Sequence, residues 1–171
     1  FVERIHETGM KVMLWYSVPF VGLYSKNYER FKDMLLDETG NNRDYWSLDP
    51  RYPEVREFLI GLYERALLDW GLDGLKLDFL AALQNPETAT YRHPENGLGV
   101  KEMYRMQKLL HDAAVKVKPD VLLDASTCDP RFEDIVSMNR LHDIQKVPEE
   151  REMRAMVSSL ACPDLPIDSD G

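Results

Sequence analysis

At 171 residues, with 44% hydrophobic and 30% charged side chains, the chain is long enough for one domain with a real core. The 30 acidic residues outnumber the 21 basic ones, for a formal charge of -9. That balance argues against nucleic acid or an anionic membrane as partner, since either calls for a basic face. No apolar run approaches the roughly eighteen residues of a membrane span. Cys128 and Cys162 lack the spacing of a zinc site or redox pair and say little about compartment, so cytoplasmic, periplasmic and secreted locations stay open. Phe1-Val2-Glu3-Arg4-Ile5 reads as the interior of an amphipathic helix, and with the stop at Ser169-Asp170-Gly171 the chain is expected to be an excerpt.

The first helix is expected to end at Gly9, and Lys11 to Tyr16 reads as a short buried strand. Tyr28 to Leu36 and Tyr52 to Trp70 read as helices, the second with Pro53 near its start and Gly71 past its end. Val55, Leu59, Leu62, Tyr63 and Leu67 recur at helical spacing and give it one buried face. A strand follows at Gly74 to Leu80 and a long helix at Val100 to Val117, closed by Pro119. Strands are expected at Val121 to Ser126, Ile135 to Arg140 and Leu165 to Ser169, with a helix at Pro148 to Leu160.

Strands alternating with helices imply parallel βαβ units. A doubly wound sheet usually carries a glycine-rich phosphate loop, and no G-x-G-x-x-G or G-x-x-x-x-G-K occurs. The expected strand ends instead carry Trp15-Tyr16, Lys76 and Asp78, Asp124 and Ser126, Asn139 and Arg140, and Asp168, which favours a (β/α)8 barrel with its chemistry at the carboxyl mouth. A complete barrel takes about 250 residues. Residues 1–171 are therefore expected to form one barrel domain lacking its first and last strands.

Side chains two apart on a strand share a face, so Lys76 and Asp78 point one way and Leu75, Leu77 and Phe79 the other. The pair would face the barrel axis, either as a structural bridge between strands or as part of a site. Asp143 lies just beyond the strand ending at Arg140, where a carboxyl is either a loop cap or an acid catalyst; His142 is its neighbour and rival. No G-x-S-x-G elbow accompanies Ser126. A metal site from Asp49, Asp78, Asp124 and Asp168 is conceivable, but Lys76 would set a positive charge beside the ion. Trp15, Tyr16, Phe31 and Trp46 could stack on a ligand ring or fill the core.

Four ordered stretches resemble the α-galactosidase clan, glycoside hydrolase families 27 and 36, with family 36 nearest. They are Gly9-Met10-Lys11-Val12-Met13-Leu14-Trp15, Leu48-Asp49-Pro50-Arg51 before Pro53-Glu54-Val55-Arg56, Leu75-Lys76-Leu77-Asp78-Phe79, and Arg140-Leu141-His142-Asp143. The resemblance implies Asp78 as nucleophile, Asp143 as acid/base and Lys76 as a ligand of sugar hydroxyls. It further implies sugar contacts from Arg43, Arg140, Trp15, Cys128 and Asp168 or Asp170. Two features depart from the family: Ser126-Thr127-Cys128-Asp129-Pro130 lacks the usual glycine-rich run, and Phe31 is only a loose stand-in for the tryptophan of the pocket wall.

The implied reaction retains the α configuration through a glycosyl-aspartate and requires no metal or organic cofactor. Its partner would be a glycoside or oligosaccharide, with no nucleic acid or membrane involved. The alternatives are an α-N-acetylgalactosaminidase-, α-glucosidase- or α-xylosidase-like hydrolase, or a non-catalytic carbohydrate-binding barrel.

Overall fold

A computed structural model of the chain describes residues 1–36, 44–80, 99–127, 129–141 and 147–169. The sheet is organised around the apolar segment Gly74–Asp78 (β4), which lies between Met13–Ser17 (β1) and Leu122–Ala125 (β5). Met138–Leu141 (β6) and Ile167–Ser169 (β7) extend it, every pairing is parallel, and the order is β1-β4-β5-β6-β7. These five strands therefore follow one another in chain order with no reversal. A doubly wound sheet reverses at its switch point, whereas a barrel winds one way, so the order is that of a (β/α) barrel.

The helices are Val2–His6 (α1), ahead of β1, and, between strands, Lys26–Phe31 (α2), Pro53–Leu68 (α3), Val100–Val117 (α4) and Pro148–Ala161 (α5). Proline at the first turn of α3 and α5 starts each without losing a hydrogen bond. Helix α4 buries Met103, Met106, Gln107, Leu110 and Ala114, a three-and-four spacing along one face. Helix α3 buries Val55, Leu59, Tyr63, Ala66 and Leu67. Both helices join the core that contains Leu75, Leu77 and Leu123 from β4 and β5. At Gly74, a Cβ would come within 2.7 Å of the Leu122 carbonyl oxygen, so this close strand approach needs glycine.

Three expectations from the sequence are revised, and one strand pair is added. The expected Tyr28–Leu36 helix is instead α2, and Leu35 makes an antiparallel bridge to Leu48. The expected Ile135–Arg140 strand starts later, because Pro130–Ile135 is a 3₁₀ helix whose start is capped by the Asp129 carboxylate accepting from the Arg131 N–H. A short antiparallel hairpin, Phe20–Gly22 (β2) with Tyr45–Ser47 (β3), had no counterpart in the sequence reading. Phe31 is fully buried, against Phe58, and does not wall a pocket.

The amino ends of the strands are tied together by Asp73. Its carboxylate accepts from the Val12 N–H at 2.8 Å, contacts His6 Nε2 at 2.7 Å and lies 3.3 Å from Lys118 Nζ. Burial alone would raise its pKa, but these donors outweigh burial and hold it at about 2, below the ordinary 3.8. A carboxyl whose pKa is depressed by folding stabilises the fold above its unfolded pKa and loses that contribution as pH falls through the folded value. The shift corresponds to roughly 2 kcal/mol. Urea unfolding curves are expected to show this contribution fading between pH 4 and pH 2 in the unaltered protein. In Asp73→Asn it should be missing already at pH 6; equal stability of the two proteins at pH 6 would contradict the assignment.

A second cluster lies where β3 leads into α3. The Asp49 carboxylate, fully buried, accepts from Arg51 Nε at 2.8 and 3.0 Å, Arg51 Nη2 at 2.7 Å and the Arg51 N–H at 2.9 Å. Arg56 Nη1 donates to the Pro50 and Arg51 carbonyl oxygens. Burial pushes the nearby Glu102 carboxyl up, opposed by Arg105 and Arg56. The charges of Arg51 and Arg56 in this turn act on Glu102, in the first turn of α4.

Candidate active site

Parallel register decides which side chains meet. Trp15 is paired with Lys76, Ser17 with Asp78, Lys76 with Asp124, Asp124 with Met138, and Arg140 with Asp168. Because side chains alternate, these positions share the face opposite the apolar set Leu75, Leu77 and Leu123. Trp15, Asp78, Arg140 and Asp168 all fall within the last few residues of their strands. The carboxyl end of the sheet thus gathers two carboxylates, an arginine and an indole on one face, with Lys76 just below them.

Asp78 is the best-held group. Its Oδ2 accepts from Trp15 Nε1 at 2.9 Å and its Oδ1 from the Phe79 N–H at 2.8 Å. Arg140 Nη1 lies 3.8 Å from Oδ1 and 3.2 Å from Ser126 Oγ. The Asp78 side chain is 15% exposed and that of Arg140 6%, so the pair is well shielded while the carboxylate remains reachable. Lys76 Nζ approaches the Asp168 carboxylate at 3.9 Å. Arg140 keeps its inward direction because its neighbour Asn139 is pinned outward: Asn139 Nδ2 donates to Ser158 Oγ on α5, and its Oδ1 accepts from the Thr127 N–H. A cleft of about 350 Å³ opens beside this corner, lined by Ser126, Arg140, Leu141, Met153, Arg154 and Val157 among others.

Phe79 departs from the alternation expected of it. Strand β4 ends at Asp78, and Phe79 adopts φ 61°, a left-handed conformation that a bulky residue takes only under constraint. The turn aims its N–H at the Asp78 carboxylate and leaves its ring exposed, beside Trp15 and Phe20, instead of under the helices. Nothing in the local sequence marks this position, since no glycine or asparagine stands there.

Of the four aromatics weighed for stacking, only Trp15 is at this site. Tyr16 packs edge-on against Tyr63 in the core, Phe31 is buried and Trp46 packs against the core. Asp49 is removed from the conceivable metal quartet, since its carboxylate is taken by Arg51. Among the described residues, no three His, Cys, Asp or Glu side chains gather into a metal site. Arg43, Cys128, His142, Asp143 and Asp170 lie outside the described residues.

No protein-family model matches this chain, and no curated protein does. Solved structures do. The α-galactosidase of Lactobacillus brevis superposes with TM-score 0.72 at 18% identity, over 97% of this chain and 23% of that one. The Thermus thermophilus α-galactosidase TtGalA, solved with stachyose, gives 0.60 at 20% identity, over 99% and 48%. A noncanonic maltogenic α-amylase, AmyB of Thermotoga neapolitana, gives 0.63 at 17% identity, over 90% and 32%. The chain spans between about a quarter and a half of these proteins. Its parallel strands and helices have the fold of part of a (β/α)8 barrel, which it shares with these three proteins.

Proposed function

We propose that this chain carries the catalytic strands of a retaining glycoside hydrolase acting on terminal α-galactosides, with Asp78 as nucleophile. The observation that carries the reading is the setting of Asp78: a reachable carboxylate at the carboxyl end of a barrel strand, with one hydrogen bond to each oxygen. Such bonds hold a nucleophile in one rotamer, aimed at the position a bound anomeric carbon would occupy. The resemblance of Leu75-Lys76-Leu77-Asp78-Phe79 to the family motif supports the same role.

In this reading Asp78 attacks the anomeric carbon as Asp143 gives its proton to the departing oxygen. A covalent glycosyl-aspartate forms with inversion at that carbon. Asp143, now a carboxylate, takes a proton from water, whose oxygen displaces Asp78 with a second inversion, so the α configuration returns. Two carboxyls working this way stand about 5 Å apart. Lys76, Arg140 and Asp168 hold the hydroxyls of the attacked sugar, joined by Arg43 and Cys128. Arg140 also neutralises part of the charge on Asp78 before attack. The chemistry proceeds with these side chains and water alone.

The barrel fold shared with an α-amylase makes an α-glucoside the second substrate class to try. Aryl α-galactoside, α-N-acetylgalactosaminide and α-glucoside are to be offered in parallel, with the first-formed anomer followed by proton NMR. The expected outcome is hydrolysis of the galactoside with α-galactose appearing first. Early β-galactose would overturn the retaining mechanism, and cleavage of the glucoside alone would move the substrate class. Sugar binding without any turnover would leave a carbohydrate-binding barrel.

A further inference from the structure

Strand β6 presents its two middle residues to opposite sides of the sheet. Arg140 turns inward to the site, and Asn139, paired with Ala125 of β5, turns toward the helices. That layer is apolar, with Leu123, Ala125 and Leu141 buried in it on the same two strands. Asn139 is nonetheless only 1% exposed, and burying an amide is costly unless each of its ends finds a partner. Both ends do. The Thr127 N–H, which can only donate, reaches Asn139 Oδ1 at 3.2 Å and the Ala125 carbonyl oxygen at 3.1 Å. With Oδ1 so placed, Asn139 Nδ2 faces α5 and donates to Ser158 Oγ at 3.1 Å. Thr127 and Ser158 are buried with it.

The exit of β5 is therefore held by β6 from both sides of the sheet. On the helix side Asn139 holds Thr127; on the inner side Arg140 Nη1 donates to Ser126 Oγ at 3.2 Å. The same Nη1 lies 3.8 Å from Asp78 Oδ1, so one guanidinium nitrogen is shared between Ser126 and the carboxylate. Where Ser126 sits thus sets how closely that charge approaches Asp78. Ser126 precedes Thr127 in the chain, and the buried amide fixes Thr127.

We infer that Asn139 is a positioning residue for the nucleophile: it fixes the β5 exit from the helix side and, through Ser126 and Arg140, places the charge beside Asp78. The inference rests on the reading of Asp78 as nucleophile. Asn139 faces away from the site, so its effect on turnover passes through Arg140. Asparagine suits the task because one short side chain offers an acceptor to a backbone N–H and a donor to a hydroxyl. Leucine fills a similar space and offers neither.

The test is a double-mutant cycle on kcat/KM for an aryl α-galactoside. Asn139→Leu should lower kcat/KM about tenfold in the otherwise unaltered protein, since small displacements of groups at a site are costly in rate. In an Arg140→Met background the same substitution should lower it less than about twofold, because the group it acts through is gone. Equal losses in the two backgrounds would mark Asn139 as merely structural and overturn the inference. Should Asn139→Leu not fold, Ser158→Ala removes the partner of one end of the amide and is read through the same cycle, with a loss of about threefold expected. If the unaltered protein cleaves no α-galactoside, the nucleophile reading fails on its own. In that case, or if Arg140→Met has no turnover, hydrogen exchange at the Arg140 Nε–H, followed by NMR, decides the positioning. Exchange roughly tenfold faster in Asn139→Leu, or threefold in Ser158→Ala, supports it, and unchanged exchange would overturn it.

Discussion

Asp78→Ala is expected to reduce hydrolysis of an aryl α-galactoside on the order of 10⁴-fold while leaving the fold intact. The alanine removes the atom that forms the covalent bond and opens a small space at the end of β4. Azide or formate entering that space can attack the anomeric carbon directly, so either anion should restore turnover. Rescue by azide should yield the β-galactosyl azide, because one displacement replaces two. At a merely structural aspartate, an added anion would not restore turnover, so rescue separates the two roles. Full residual activity in Asp78→Ala would remove Asp78 from the nucleophile role.

Arg51→Ala should produce the largest loss of stability among single substitutions at charged positions. Arg51 and Asp49 are almost wholly shielded from water and bound side by side, and removing one partner leaves the other charge buried without its partner. Breaking such a pair costs about 3–5 kcal/mol, whereas replacing both members by apolar groups costs far less. Urea unfolding should therefore find Asp49→Ala/Arg51→Ala markedly more stable than the sum of the two single losses predicts. Strict additivity would show that the pair does not act as a unit. Because Leu48 donates its N–H to the Pro19 carbonyl oxygen, damage here also reaches the hairpin that carries Phe20 and Tyr45.

The parallel fold and the inward pair Lys76 and Asp78 were legible in the sequence because strand alternation is a local property with a fixed period. Helix α4 was legible to the residue, since its apolar spacing runs for five turns and Pro119 follows. Trp15, Arg140 and Asp168 were placed on strand ends by the same reasoning, and parallel register then brought them to one face. The rest depended on distant contacts. Strands β2 and β3 have three residues each and pair across more than twenty residues of chain, so no tight-turn signal announces them. The left-handed turn at Phe79 contradicts its alternation, and no glycine or asparagine announces it in the sequence. Burial of Asp49 and Arg51 is likewise invisible locally, because a charged pair in a loop ordinarily sits in water. Phe31 illustrates the converse: an aromatic counted as a stand-in for a pocket wall is fixed in the core by Phe58.

The most direct test of the account is to trap the covalent intermediate. A 2-deoxy-2-fluoro-α-galactosyl reagent slows the second displacement more than the first, so the sugar accumulates on the group that attacked. Digestion and mass mapping should then find one label, on the peptide containing Leu75-Lys76-Leu77-Asp78-Phe79, with fragmentation assigning it to Asp78. Label on any other carboxylate, or none on a protein that hydrolyses the parent α-galactoside, would contradict Asp78 as the nucleophile.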